Sequence, residues 1–401
     1  MTKKSHIHGS DIRGYGRLAI DATLGLTSLV ETMHHNILRA PGIRGRPIQE
    51  PAKGITGFVY KSIRGATRMV GGGIDALLGR LSPLIGRGAS SPEREAVLAA
   101  LNGVLGDHLA DNANPLAIAM QLRRDGQPLA LTREALAAAI PGATGKILVL
   151  VHGLCMSDLQ WRRHGHDHGV ALSGDAGFTP VYLHYNSGLH VSSNGHAFAQ
   201  MIDTLLRAWP VAAEELVILA HSMGGLVARS ACDVGEKAGH AWLQRLSKII
   251  FLGTPHHGAP LERGGHWIDE VLDASPYTTA FARLGKIRSA GITDLRHGNM
   301  SDEDWHEQDR FAHSRRKPLA LPLPQGVECY AIAASLAKKS GQIQERLLGD
   351  GLVPLSSALG QSTNAKRSLA FPKARQWIGY GMHHLDLLDR REVYERIRSW
   401  V

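Results

Sequence analysis

Cysteine and long hydrophobic runs are both scarce in this sequence. The 401 residues include three cysteines, which are odd in number and far apart, so a disulfide framework is disfavoured and a reducing compartment is favoured. The longest clean apolar runs, such as ILVLV at 147–151, are too short to cross a bilayer. The first residues, MTKKSHIHGSDIRGYGRL, lack the apolar segment and cleavage site of a signal peptide. The sequence therefore predicts a cytoplasmic protein.

Acidic residues are scarce in the first 90 positions, which contain 13 Lys and Arg but 5 Asp and Glu. The remaining positions contain 32 Lys and Arg and 31 Asp and Glu. Within this basic region, apolar residues recur at helical spacing over 55–81, with Lys61, Arg64 and Arg68 on the opposite face. Two interpretations stay open: peripheral contact with an anionic membrane through residues 53–85, or a helix packed on protein with a solvated basic face. Nucleic acid is disfavoured as a partner, because no recognised binding module accompanies the charge.

After a hairpin that turns at Asp125–Gly126, strand and helix patterns alternate to the end of the chain. Such alternation is typical of a mostly parallel sheet covered by helices, which is the α/β class. We therefore predict a helical N-terminal extension over 1–110 and a catalytic domain over 111–401, in which 258–325 is an insertion that forms a cap or lid. Strands are expected at 146–151, 179–185, 215–220, 247–252 and 327–333, and helices near 93–110, 194–208, 224–236 and 390–400.

The segment Ala220-His221-Ser222-Met223-Gly224 follows the expected strand at 215–220 and precedes a run with helical character. A strand that reverses directly into a helix needs small residues beside its apex, and the apex side chain then stands exposed at the helix N-terminus. This is the pattern of the nucleophile elbow, G-x-S-x-G, with Ala220 in place of the first glycine. The alternative is a serine that only caps a helix. We interpret Ser222 as a nucleophile.

A serine hydroxyl needs a base, and acyl transfer needs donors for the oxyanion. Gly153, after the strand at 146–151, would let the amide of Leu154 act as one donor, and the amide of Met223 would be the second. Asp350, between two glycines, is the candidate acid, although an Asp-Gly turn is the simple alternative. His384, one of two adjacent histidines before the C-terminal helix, is preferred as the base over its neighbour. The three residues occur along the chain in the order Ser, Asp, His, which is the order used by folds that contain the nucleophile elbow.

Five motifs together resemble the α/β-hydrolase serine esterases and lipases, and more narrowly bacterial members of the GPI-inositol-deacylase-like lipase group. They are HGLCMSDLQW, AHSMGGLVAR, FLGTPHHGAPLERGG, GDGLVPLSSA and GMHHLDLL, and the resemblance covers about residues 115–401. It implies the α/β-hydrolase fold, a triad formed by Ser222, Asp350 and His384, and a wall of the acyl pocket at 253–260. It implies neither a particular substrate nor a role for residues 1–110.

The function expected from these residues is hydrolysis of small-molecule or lipid carboxylic esters through an acyl-enzyme, without a metal or organic cofactor. Two alternatives remain: an acyltransferase or thioesterase on the same scaffold, and a binding protein that has lost catalysis. Metal binding by His164, His166 and His168 is disfavoured relative to a solvated polar loop, since no supporting ligand set has a known spacing. Cys155, beside the oxyanion segment, is interpreted as a small buried filler.

Overall fold

The computed structural model describes residues 13, 14, 17, 18, 92–259, 289–306, 321–338 and 349–401. Its larger compact unit consists of Pro92–Ala110 and Ala117–Val401. The smaller unit is described only at residues 13, 14, 17, 18 and 111–116, where the side-chain amide of Asn114 donates to the carbonyl of Gly14 at 3.1 Å. The basic segment 53–85 lies outside the described residues, so its contact with a membrane stays a prediction. So does the domain boundary at residue 110.

An eight-stranded sheet organises the larger unit. Its strands lie in the order β2-β1-β4-β3-β5-β6-β7-β8, in which only β1 pairs antiparallel, with β2 and β4. The remaining neighbours are parallel, as the alternation of strands and helices predicted. The strands are β1 Gln121–Arg124, β2 Gln127–Pro128, β3 Lys146–Val151, β4 Thr179–His184, β5 Glu215–His221, β6 Leu246–Leu252, β7 Glu328–Ser335 and β8 Gln376–Tyr380.

Helices cover both faces of this sheet. Alternate residues of β3 belong to two apolar clusters, with Ile147 and Val149 in one and Leu148 and Leu150 in the other. This double burial explains why the central strands are continuous apolar runs. The helices are α1 Pro92–Asp111, α2 Arg133–Ala139, α3 His168–Ala176, α4 Val191–Ala208, α5 Met223–Ala238, α6 Ala290–His297, α7 Leu355–Ala358 and α8 Arg391–Arg398.

The hairpin and the five expected strands are confirmed, as are the helices at α1, α4, α5 and α8. At the hairpin turn, Asp125 and Gly126 have φ values of 50° and 73°, which suit a two-residue turn of type I′. The described part of the expected insertion contains α6, and its function as a cap or lid stays a prediction. Within the described residues, no helix combines the length and the apolar character that a membrane span requires.

The structure corrects the interpretation of residues 163–168 as a solvated polar loop. The backbones of Arg163 and His166 pair with each other, and the imidazole of His164 is exposed. His168, however, is completely buried and begins α3, directly after Asp167, whose carboxylate caps that helix. The loop interpretation is therefore wrong at His168, because this side chain has a protein partner distant in sequence, as described below.

Candidate active site

Ser222 occupies the junction between β5 and α5. Its φ of 54° is rare for a residue other than glycine, and such strain persists only where neighbouring structure holds it. The amide of Ser222 donates to the carbonyl of Leu252 at 2.8 Å, which ties the junction to the end of β6. A Cβ on Gly224 would lie 2.5 Å from the carbonyl oxygens of Val151 and His152, so glycine is required there. Ala220 is fully buried and accommodates its methyl group without disturbing the strand.

His384 and Asp350 are paired in the buried interior. The Nδ1 atom of His384 lies 2.7 Å from Oδ2 of Asp350 and donates to it, since a carboxylate only accepts. The other oxygen, Oδ1, accepts from the amides of Leu352 and Val353 at 3.0 and 2.8 Å. Nε2 of His384 is thereby left as an acceptor, and it has no hydrogen-bond partner within the described part of the chain. The neighbouring His383 is exposed.

Ser222 and His384 line the same cavity, which has a volume of about 450 Å³ including the space at its open mouth. Two-thirds of the described lining residues are apolar, so the cavity offers an apolar wall around three polar side chains, those of Ser222, His384 and His221. These apolar residues are Leu154, Met156, Pro255, Ala259, Leu295, Leu352, Val353 and Leu385.

The two amides expected to stabilise an oxyanion belong to Leu154, beside the cavity, and Met223, the first residue of α5. Neither amide donates a hydrogen bond to another described residue. A Cβ on Gly153 would lie 3.0 Å from Cβ of Ser222, so the backbone before Leu154 passes close to the serine. Cys155 is buried, and burial raises the pKa of its thiol to about 12, which confirms the filler interpretation.

The segment after β6 forms one wall of the cavity, as the resemblance implied. Pro255 and Ala259 both line it. Gly253 has a φ of 58°, and a Cβ there would lie 2.8 Å from Cε1 of His384. Glycine at this position therefore lets the backbone pack directly against the imidazole.

His221 is a cavity residue that sequence reasoning missed. Its ring centroid lies 4.7 Å from that of His384, and its Nε2 lies 3.4 Å from the backbone oxygen of His384. Burial and the nearby His384 hold the pKa of His221 well below its usual range, so its imidazole is neutral at pH 7. The only sequence signal was its position in the elbow, immediately before Ser222.

A buried ionic cluster lies outside the cavity. One guanidinium nitrogen of Arg123 lies 2.8 Å from Glu95 and 3.2 Å from Asp158, and His184 lies 3.1 Å from the same Asp158 oxygen. Among the described residues, Glu95, Asp158 and His184 form the only group whose ligand atoms are close enough to hold a metal ion. Because the Arg123 guanidinium already pairs with both carboxylates, and Arg94 lies 3.5 Å from Glu95, we interpret the group as a structural ion cluster.

This cluster predicts a large loss of stability in Arg123→Met. Removing the guanidinium takes away the cation that the two buried carboxylates share and leaves Glu95 with Arg94 alone, and breaking such a buried pair typically costs about 3–5 kcal/mol. Urea unfolding should therefore give a free energy of unfolding lower by that amount. Arg391→Met, at an ion pair whose arginine is 88% exposed, is the control and should leave the midpoint unchanged. A wild-type midpoint for Arg123→Met would contradict the assignment.

Four buried histidines predict acid sensitivity. Burial lowers the pKa of His152 to about 3 and that of His168 to about 4, and it holds those of His221 and His256 well below the usual range. Below pH 6.5 the unfolded chain binds protons that the folded chain does not, so stability falls as the pH falls and is unaffected above that value. Each histidine should contribute up to about 1.4 kcal/mol per pH unit. Urea unfolding at pH 7.5, 6.5 and 5.0 checks this, and equal free energies at 6.5 and 5.0 would refute it.

Comparison with known proteins concerns the fold and the family. The model of the PGAP1-like alpha/beta domain family matches residues 142–322, which confirms the resemblance that the motifs indicated. The sequence has no significant match among curated proteins. Among solved structures, the mature Bacillus licheniformis lipase is 16% identical with a TM-score of 0.40, over 64% of this chain and 91% of that one.

Two esterases give similar values. One, from Pyrococcus furiosus, is 13% identical with a TM-score of 0.37, over 65% of this chain and 81% of that one. The other, from Thermogutta terrifontis, is 15% identical with a TM-score of 0.36, over 64% of this chain and 90% of that one. The strand order and the family match together show the α/β-hydrolase fold, and residues 142–322 match the model of the PGAP1-like alpha/beta domain family.

Proposed function

We propose that this protein is a serine hydrolase that cleaves carboxylic esters, with Ser222 as nucleophile, His384 as base and Asp350 as the acid that orients it. The observation that carries the proposal is the state of His384. Its Nδ1–H is committed to a buried carboxylate, while its Nε2 is an unpartnered acceptor beside the cavity that Ser222 also lines. An imidazole in this tautomer can accept the proton of a serine hydroxyl.

The chemistry follows in two steps. Ser222 Oγ attacks the ester carbonyl while Nε2 of His384 takes its proton, and the amides of Leu154 and Met223 stabilise the negative oxygen. His384 then gives the proton to the departing alcohol, which leaves an acyl group on Ser222. In the second step His384 takes a proton from water as its oxygen attacks the acyl carbonyl. The bond from the acyl carbon to Oγ of Ser222 then breaks, and His384 returns the proton to Oγ, which releases the acid and the free serine. Asp350 stabilises the imidazolium in both steps and keeps its own charge.

The lining of the cavity supports an uncharged substrate. Apart from Ser222 and the two imidazoles, the described residues that line the cavity have apolar side chains or none, so none of these described residues offers a charged group to an ionic substrate. Small-molecule and lipid esters both meet this requirement. No metal ion or organic cofactor takes part in the proposed steps.

The test is hydrolysis of p-nitrophenyl acetate and p-nitrophenyl butyrate by the purified full chain, with p-nitrophenol release measured at pH 8. We expect saturable release well above the rate without protein. Parallel reactions with added methanol, or with an acyl-thioester substrate, separate a hydrolase from an acyltransferase or thioesterase. Absence of release from all of these activated esters would contradict catalysis and favour the alternative of an inactive binding protein.

A further inference from the structure

The segment that carries His384 is a single short 3-10 helix, His384–Leu388, here named the base helix. Its amide at His384 donates to the backbone oxygen of Asp350 at 3.2 Å, which fixes only the first residue. A helix this short does not hold its own position, and the last carbonyls of any helix lack partners within it. The far end of the base helix therefore needs external contacts.

Part of this anchoring is apolar, because Leu387 and Leu388 are buried in a core cluster. The polar contacts come from residues 163–168, here named the histidine loop. Nε2 of His168 lies 3.0 Å from the carbonyl oxygen of Leu387, and the His168 side chain is fully buried. Since a carbonyl can only accept, Nε2 carries the proton and Nδ1 is an acceptor. Nδ1 in turn lies 2.8 Å from Nε2 of His166, which donates to it. Burial lowers the pKa of His168 to about 4, so this arrangement of protons persists at neutral pH.

A second contact holds the residue that follows the base helix. Nδ1 of His164 bonds to Oδ2 of Asp389, and Nε of Arg163 lies 3.6 Å from the same oxygen. The Asp389 side chain is 8% exposed, whereas that of His164 is 73% exposed, so the pair joins the surface of the loop to a nearly buried carboxylate. At one end of the histidine loop, His168 thus contacts Leu387. At the other end, Arg163 and His164 contact Asp389.

We propose that the histidine loop positions the base helix and thereby holds His384 in line with Ser222. His168 is the principal positioning residue, because it bonds the helix that carries His384, and His164 is a secondary one. The inference rests on the proposed function, but the anchoring it describes can be measured separately. It gives a role to the three alternating histidines that, in the sequence, suggested a metal site. A misplacement of about 1 Å in a reacting group lowers a rate by about a hundredfold.

The test compares His168→Phe with His168→Gln in the full chain. Phenylalanine keeps a ring beside Tyr394, on which His168 now stacks, but removes the donor to Leu387. Glutamine restores an N–H near the position of Nε2. For p-nitrophenyl acetate hydrolysis we expect kcat to fall at least about tenfold in His168→Phe with KM nearly unchanged, and to recover to within about threefold of wild type in His168→Gln. His240→Phe is the control, because the side chain of this histidine bonds only Trp242 among described residues and its backbone bonds do not depend on the ring.

Hydrogen exchange of the peptide containing residues 384–389 provides a readout that does not depend on catalysis. Exchange should accelerate in His168→Phe and not in His240→Phe. His164→Ala, an exposed substitution that should fold in any case, should accelerate it as well, with a kcat decrease of about two- to fivefold. Wild-type exchange and kcat in these variants would overturn the inference. An inactive wild-type protein would defeat the proposed function instead, and exchange would still decide the anchoring.

Discussion

Ser222→Ala should lower kcat/KM for p-nitrophenyl butyrate by at least about 10⁴-fold, because the acyl-enzyme cannot form without the hydroxyl. Any residual rate would come from the oxyanion donors and the cavity, which the substitution leaves in place. The fold should be retained, since the side chain is small and the backbone at Ser222 is held by the amide bond to Leu252. Initial rates over a range of substrate concentrations, with thermal unfolding of each variant, provide the measurement.

Ser193→Ala is the matched control for this prediction. Ser193 lies on α4, is exposed and does not line the cavity. Ser193→Ala removes a hydroxyl oxygen, as Ser222→Ala does, and should leave kcat/KM within about twofold of wild type. An active Ser222→Ala variant, or an equal loss in both variants, would remove Ser222 from the mechanism.

The adjacent histidines provide the second large contrast. His384→Gln should lower kcat by about 10⁴-fold, because no other described side chain near Ser222 combines a free ring nitrogen with a carboxylate partner. His383→Gln should stay within about threefold of wild type, since His383 is exposed and its neighbour carries the bond to Asp350. Rates at pH 8 with p-nitrophenyl acetate measure both. Similar losses of kcat in the two variants would mean that both substitutions disturb the fold, and would contradict a proton transfer by His384.

Asp350→Asn extends this contrast to the acid. Asparagine keeps an oxygen for the amides of Leu352 and Val353 but can present an N–H to Nδ1 of His384. That would favour the tautomer with a proton on Nε2, which cannot accept from Ser222. We therefore expect a loss close to that of His384→Gln with little change in stability.

The central strands and the elbow were predictable because their requirements are local. A parallel strand buried on both faces is a continuous apolar run, as 147–151 of β3 and 216–220 of β5 are. A strand that turns directly into a helix needs small residues such as Gly224. These constraints appear in consecutive residues. Strand β8, in contrast, is a five-residue edge strand that is mostly half-buried, so its sequence QWIGY carried no clear pattern.

The partners of buried polar side chains could not be predicted, because they come from distant parts of the chain. The burial of His168 depends on a carbonyl at Leu387, 219 residues later, and Arg123 is paired with carboxylates on α1 and in the segment after β3. Within the elbow, nothing in the letter sequence indicated that the ring of His221 would lie against that of His384. Motifs and the family resemblance identified candidate groups, and only the folded geometry shows which of them meet.

The most direct measurement of the central claim is the site at which a fluorophosphonate probe binds covalently. After the full chain is labelled and digested, peptide mass spectrometry should find one phosphonyl group per chain, attached to Ser222. The same treatment of His384→Gln should leave the peptide unmodified, because the hydroxyl then lacks its base. Label on another residue, or no label on a folded wild-type protein, would contradict the assignment of Ser222 as an activated nucleophile.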